Sequence, residues 1–198
     1  MERLIAIITL LLVSPIIVIF YLLVKLGSKG PFIFKQKRIG KDFKKFTIYK
    51  IRTMVDGAEN LRKNLENKNE ADTIVFKIRN DPRFTKIGKF LSHSGLDEIL
   101  QLINVIKGEM SFVGPRPLPV NEAKKIPNIY RARFSVKPGI TSLWIIRGAH
   151  NVSFNEWMKL DLEYVRKKSV FFDLFIFLMT IILIFKLMGS RFNFRFPN

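Results

Sequence analysis

Hydrophobic positions are continuous near the two ends of the chain and periodic through its middle. Residues 4–24 read LIAIITLLLVSPIIVIFYLLV, 21 residues without a charge. As a helix this run is about 32 Å long, enough for a bilayer core of about 30 Å. Ser14-Pro15 sits at its centre. Pro15 has no N–H and its ring clashes with the Leu11 carbonyl, while a serine hydroxyl can bond carbonyls that a proline leaves free. Each half alone reaches only mid-bilayer. Two geometries stay open: a kinked spanning helix, and a re-entrant helix that enters and leaves by one leaflet. The length of the run, Glu2, and the lack of a small-residue cleavage pattern argue against a signal peptide. A second apolar run, 174–185, has 12 residues, too few to span, and reads as a buried or interfacial helix. The tail RFNFRF at 191–196 suits a headgroup boundary or a flexible basic end.

The middle of the chain predicts short elements. Alternation in 32–36 and 45–54, with a turn around Gly40, predicts a β-hairpin. Asp56-Gly-Ala-Glu59 is a capping-box pattern for a polar helix over 57–68. Asn80-Asp81-Pro82 marks a turn, and 85–91 a short amphipathic helix. The best helical pattern is 96–107, with Leu96, Ile99, Leu100, Ile103 and Ile106 on one face, Ser94 or Gly95 at its start and Gly108 past its end. Gly114-Pro-Arg-Pro117 is rigid and extended, and Lys137-Pro-Gly139 is a turn. Ser153-Phe-Asn-Glu156 is a second capping box, opening a helix to about Lys168. The expected fold class is α+β, mainly helical, with an apolar N-terminal helix, a short β-hairpin and interfacial amphipathic helices.

Composition narrows the partners. The chain has 198 residues, a net charge of +18 and 48% hydrophobic residues, which argues against disorder and leaves nucleic acid or an anionic membrane as partner. Between residues 25 and 52 lie ten basic residues and one acid, Asp42, directly after the apolar run. The positive-inside rule puts this stretch in the cytoplasm, where it attracts anionic lipids. No nucleic-acid motif accompanies the charge, so no nucleic-acid partner is expected. There is no cysteine, and only His93 and His150, which excludes thiolate chemistry and leaves a carboxylate–Mg²⁺ site as the reasonable metal site.

Asp97 and Glu98 stand in the first turn of the 96–107 helix. Two adjacent carboxylates there either complement the helix dipole or form a nucleophile with an acid/base or metal-binding partner. Asp97, Gln101 and Asn104 make a polar stripe beside the apolar one. Arg116, between two prolines, suits a phosphate fork. Arg79, Arg83 and Lys86 form another basic cluster, by itself only a basic face.

Taken together, FIFKQKRIGKDFKKFTIYKIRTM (32–54), NDPRFTKIGKFL (80–91), LDEILQLINVIKGEMSFVGPRPLP (96–119), KPGIT (137–141) and FNEWMKLDLEYV (154–165) resemble the bacterial sugar transferase family, small monotopic phosphoglycosyl transferases. The resemblance implies a re-entrant helix over 1–26 broken at Ser14-Pro15. It implies a membrane-associated catalytic body over 27–198, with an interfacial helix at about 170–188, on the cytoplasmic face of the bacterial inner membrane. It implies Asp97 as nucleophile toward a UDP-sugar, releasing UMP, with Glu98 assisting the polyprenyl phosphate acceptor or Mg²⁺. Arg116 would bind phosphate, with Arg79, Gln101 and Arg147 as further substrate contacts. The chain departs from the family pattern at Ser92, Ser142, Ile145 and Ala149, where Arg, Gly, Gln and Arg are usual. Arg147 lies two positions before the usual arginine. An inactive, membrane-bound scaffold is the alternative that these departures suggest.

Overall fold

The N-terminal apolar run folds as one helix, α1 (Glu2–Gly27), in a computed structural model that describes residues 1–69, 74, 76, 78, 80–148 and 152–191, the last five by backbone only. Helical backbone continues through Ser14-Pro15, so the pair does not break the helix as expected. The Ser14 hydroxyl donates to the Leu11 carbonyl at 2.8 Å, the acceptor that Pro15 has no N–H to serve.

One face of α1 is held along its whole length. Ala6, Leu10 and Val13 join a cluster with Phe46, Ile48, Leu102 and Met110. Ile17, Phe20 and Val24 join another with Ile51, Leu91 and Leu100. The opposite face leaves Leu4, Leu12, Val18, Leu22 and Leu26 exposed. Among the described residues α1 is the one helix long and apolar enough to cross a membrane.

The expected hairpin forms from β1 (Ile33–Ile39) and β2 (Lys45–Ile51), antiparallel, with Gln36 opposite Ile48. Gly40 enters its turn, but the left-handed residues are Asp42 and Phe43, at φ 52° and 59°. The Phe43 ring packs on Phe134, with centroids 4.6 Å apart, which offsets the unfavourable backbone.

The first capping box does not form. Asp56 accepts from the Gly57 N–H, and Glu59 accepts from the Gln36 amide, so neither side chain caps the helix. The helix there is one turn, α2 (Ala58–Arg62), continued as a 3₁₀ stretch, Lys63–Lys68. Thr85 caps α3 (Lys86–Ser94) by accepting from the Gly88 N–H. The pattern over 96–107 is helical as expected but wound in two ways. Leu96–Gln101 is 3₁₀ and α4 (Leu102–Lys107) is α-helical, ending at left-handed Gly108. Gly95, at φ 74°, turns the chain sharply out of α3, and the turn that follows tightens, as helix ends commonly do.

Beyond α4 come β3 (Ser111–Val113), β4 (Leu118–Pro119) and α5 (Val120–Ala123), then a 3₁₀ segment, Asn128–Ser135. β5 (Gly139–Thr141), α6 (Leu143–Ile146), α7 (Phe154–Lys167) and α8 (Val170–Arg191) follow. β4 pairs with β1, giving the sheet order β2-β1-β4, and β3 pairs parallel with β5. The Ser153–Glu156 capping box is formed in full at the start of α7. α8 is anchored by Ile176, by a hydrogen bond between the Thr141 and Thr180 hydroxyls, and by one from the Tyr164 hydroxyl to Asp173, while Phe171, Phe175, Leu178, Ile182 and Phe185 stay exposed. The result is a mainly helical α+β protein with two short sheets and a long apolar helix at its N-terminus.

Gly88 lets α3 lie against the chain at Thr53. A Cβ there would stand 1.8 Å from the Thr53 carbonyl oxygen. Gly88→Ala is expected to destabilise the fold by about 1–3 kcal/mol, read as a lower melting temperature of the detergent-purified protein.

Candidate active site

The Asp97–Glu98 turn is fixed to the hairpin by Asn104. Its Nδ2 donates to the Thr47 carbonyl at 2.7 Å and its Oδ1 accepts from the Tyr49 N–H at 3.2 Å. β2 is the outer strand of its sheet, so Asn104 serves the edge groups that a further strand would have paired. Asn104 therefore leaves the polar stripe and takes a structural role, whereas Asp97 and Gln101 stay near the site.

On β2, Phe46, Ile48 and Lys50 share one face by two-residue alternation, and Lys50 is the member that reaches the carboxylates. Its Nζ lies 2.6 Å from Glu98 Oε1 and 3.3 Å from Asp97 Oδ2. Arg116 approaches from the other side, with Nη2 2.9 Å from the same Glu98 Oε1. The Arg116 guanidinium also lies over the Trp144 ring, 5.9 Å from its centroid, and Trp144 stacks on Trp157.

The loop carrying Arg116 is rigid for several reasons. Prolines fix φ on both sides. Gly114 and Gly139 let the loop press on the Lys137-Pro138-Gly139 turn, since a Cβ on Gly114 would meet the Lys137 carbonyl oxygen at 2.4 Å. The Arg38 Nη1 donates to the Pro117 carbonyl at 2.9 Å and the Arg133 Nη2 to the Arg116 carbonyl at 2.8 Å.

These residues line a small cleft formed by Arg38, Ile48, Lys50, Glu98, Gln101, Arg116 and Pro117. Among the described residues the Arg38 Nε and Gln101 Oε1 of this cleft are buried without a hydrogen-bond partner. Its three cations outnumber the two acids of the dyad, so the cleft keeps a positive excess suited to an anion of phosphate type. Burial, then the neighbouring Arg116, lowers Arg38 to about 10.

The two carboxylates are driven apart. Burial raises Asp97, and neighbouring Glu98 adds to this, against the pull of Lys50 and Arg116. Burial would also raise Glu98, but Arg116 and Lys50 outweigh it and hold Glu98 at about 2. Glu98 is a fixed anion between two cations, and Asp97 is the more basic member of the pair.

Of the sequence-predicted site residues, Asp97, Glu98, Gln101 and Arg116 converge. Arg147 is exposed at the end of α6 and does not line the cleft. It is separated from the cleft because Trp144 and the buried first turn of α6 intervene in the chain. Arg79, Ala149 and His150 lie outside the described residues, as does the tail beyond Arg191. Arg83 is turned inward on Asp81 and the Ala58 carbonyl, a structural role. Ser142 caps α6 by accepting from the Ile145 N–H. Sequence reasoning counted Lys50 and Arg38 only as surface charge. Their signal was parity, since both fall on the hairpin face of buried Phe46 and Ile48. Trp144 and Arg133 carried no local signal.

The family model described as bacterial sugar transferase matches residues 1–187. The chain belongs to the bacterial sugar transferase family. The chain is 42% identical over 172 residues to the galactosyl transferase CpsE of Streptococcus agalactiae, covering 86% of this chain and 38% of that protein. It is 40% identical over 181 residues to the UDP-glucose:undecaprenyl-phosphate glucose-1-phosphate transferase of Escherichia coli, covering 87% and 36%. A third family relative, the exopolysaccharide production protein ExoY of Rhizobium meliloti, is 35% identical over 178 residues, covering 88% and 79%. The chain thus spans less than two-fifths of the length of the first two relatives.

The opposed shifts of the dyad predict opposite stability effects from two neighbouring isosteric changes. The folded Asp97 titrates above its unfolded value of 3.8, so its ionised form costs stability above that titration. Asp97→Asn is expected to raise the melting temperature near neutral pH, with the gain fading toward and below pH 3.8. Glu98 falls from 4.5 to about 2, so its contribution is full above pH 4.5 and is lost as pH falls through 2. That contribution is of the order of 3 kcal/mol. Glu98→Gln is expected to lower the melting temperature at neutral pH, and melting curves from pH 7 to 3 should show the deficit shrinking.

Proposed function

We propose that this protein transfers a sugar-1-phosphate from a UDP-sugar to polyprenyl phosphate and releases UMP. The observation that carries the reading is the buried Asp97–Glu98 dyad beside a cleft that Glu98 lines and where Lys50, Arg38 and Arg116 leave a positive excess. The names of the Escherichia coli relative and of the undecaprenyl-phosphate galactose phosphotransferase of Salmonella typhimurium point to the same chemistry. In this reading an Asp97 oxygen bonds to the sugar-bearing phosphorus while the bond from that phosphorus to the bridging oxygen of UMP breaks. A phosphate oxygen of the polyprenyl acceptor then displaces Asp97, giving a polyprenyl diphosphate sugar and restoring the carboxylate. Asp97 suits the nucleophile because it is the more basic acid and its cation contact is the looser one, at 3.3 Å. Lys50 and Arg116 hold Glu98 in place and present positive charge to the phosphates, and Gln101 Oε1 offers an acceptor to a substrate hydroxyl or water.

In this reading the dyad would take Mg²⁺ together with the substrate phosphates. Two adjacent carboxylates are what the ion commonly takes from protein beside substrate phosphates and water, and the described residues hold no cluster of three or more acidic or histidine ligands. Asp97 and Glu98 would hold it, and it would neutralise phosphate charge.

The membrane reading follows from α1. A helix with one face packed on the folded body from Ala6 to Val24 has no free half to project across a bilayer. Its exposed apolar face, together with that of α8, supports a monotopic body on a membrane surface; in this reading that surface is the cytoplasmic face of the inner membrane, both ends of α1 stay on that side, and 27–198 is the catalytic body.

Two measurements test these readings. Asp97→Ala and Asp97→Asn should abolish UMP release, and incubation of wild type with donor alone should add one phosphosugar mass to the peptide holding Asp97. Normal turnover by either variant sinks Asp97 as nucleophile. A cysteine placed at residue 2 should react with impermeant thiol reagents only from the cytoplasmic side. Labelling from the periplasmic side would show a spanning helix.

A further inference from the structure

Arg116 is fastened through its main chain by a buried ion pair that lies outside the cleft. Arg133, in the 3₁₀ segment, and Asp161, in α7, have side chains only 1% exposed. Nε and Nη2 of Arg133 both donate to Asp161 Oδ2, at 2.9 and 2.7 Å, and Nη2 donates also to the Arg116 carbonyl at 2.8 Å. The Arg133 guanidinium rests over the Phe134 ring, 5.0 Å from its centroid, so the group is held on a further side. A guanidinium is well suited to this arrangement: its planar fork serves a carboxylate and a carbonyl at once, in fixed directions. A buried pair of this kind gives little net stability compared with apolar side chains of similar volume. Its presence beside the Arg116 backbone therefore calls for another account, and the third hydrogen bond supplies one.

We propose that the Arg133–Asp161 pair is a positioning element, holding the Arg116 carbonyl so that the Arg116 guanidinium stays between Glu98 and Trp144. Arg133 touches no substrate. It acts through Arg116, as Arg38 does from the other side through the Pro117 carbonyl. Losing this hold lets the Gly114–Pro117 loop relax and moves the Arg116 charge relative to the dyad. The kinetic consequence rests on the transfer reading given above, but the placement of Arg116 does not.

The test uses the full-length protein in lipid nanodiscs. The variant R133M/D161L replaces the pair with apolar side chains, keeping the core filled and leaving no unpaired charge, so that it folds where a single substitution could fail. R133K keeps the charge and loses the fork. The first measurement is the rate at which phenylglyoxal modifies Arg116, read by peptide mass spectrometry relative to exposed Arg147 in the same sample. A severalfold rise of that ratio in R133M/D161L, with a smaller rise in R133K, is expected. An unchanged ratio overturns the proposal. The second measurement is a double-mutant cycle on UMP release. R133M/D161L should lower kcat by about tenfold in the wild-type background and have no further effect when Arg116→Ala is already present. Equal losses in both backgrounds would mean that the pair acts on the whole fold, and would overturn the proposal. Absence of UMP release from wild type with every UDP-sugar tried would sink the transfer reading, and the labelling ratio would still decide the positioning role.

Discussion

The structure depends on the placement of two cations around Glu98. Burying a carboxylate costs several kcal/mol unless it is paired, and here two adjacent carboxylates are buried together. Lys50 and Arg116 meet this cost by converging on one oxygen of Glu98, one from the hairpin and one from a proline-flanked loop. The pair of contacts sets the distance between elements far apart in sequence. β2 must lie against the dyad turn, which Asn104 ensures by serving the open strand edge. The Gly114–Pro117 loop must arrive from the opposite side, which the close approach to the Lys137–Gly139 turn and the hold of Arg38 and Arg133 ensure.

Elements whose signals are local were legible in the sequence. The hairpin, the short helix α3, the helical 96–107 segment with Gly108 at its end, and the capping box of α7 all lie where periodicity and capping residues placed them. The box at Asp56 failed because Gln36, a tertiary neighbour, claims the Glu59 carboxylate that the cap required. The same limit applies at the site. Asp97, Glu98 and Arg116 announced themselves by helix position and by flanking prolines. Lys50, Arg38, Trp144 and Arg133 become recognisable only when β1, β2, α6 and the 128–135 segment are brought to one place. A motif says which residue types are present, and the sheet register says which of them meet.

The basic stretch after α1 divides in the structure. Lys25, Lys29, Lys35, Lys37, Lys41, Lys44 and Lys45 are exposed. Arg38, Lys50 and Arg52 turn inward: two toward the cleft, and Arg52 to the Ser28 and Lys29 carbonyls, where it ties the end of α1 to the hairpin. The charge thus has two functions in one segment. Exposed lysines set the surface field that favours an anionic bilayer, and inward cations hold backbone and carboxylates. Composition could not separate these, because a lysine that serves a buried acid and a lysine in solvent count the same.

The dyad shows how neighbouring acids on one turn acquire unlike chemistry. Both are buried, and burial favours the neutral form of each. The difference is geometry: Glu98 receives two cations at 2.6 and 2.9 Å, whereas Asp97 has one at 3.3 Å. An anion so tightly paired is a weak nucleophile, since its electron pairs are already committed to donors. An anion held more loosely beside a strongly paired neighbour keeps more of its basicity. The 3₁₀ turn and left-handed Gly95 matter because they present the two residues to different distances from Lys50. Glu98 is the anchor that keeps the cations in place, and that fixed positive field is what allows Asp97 to stay buried beside it.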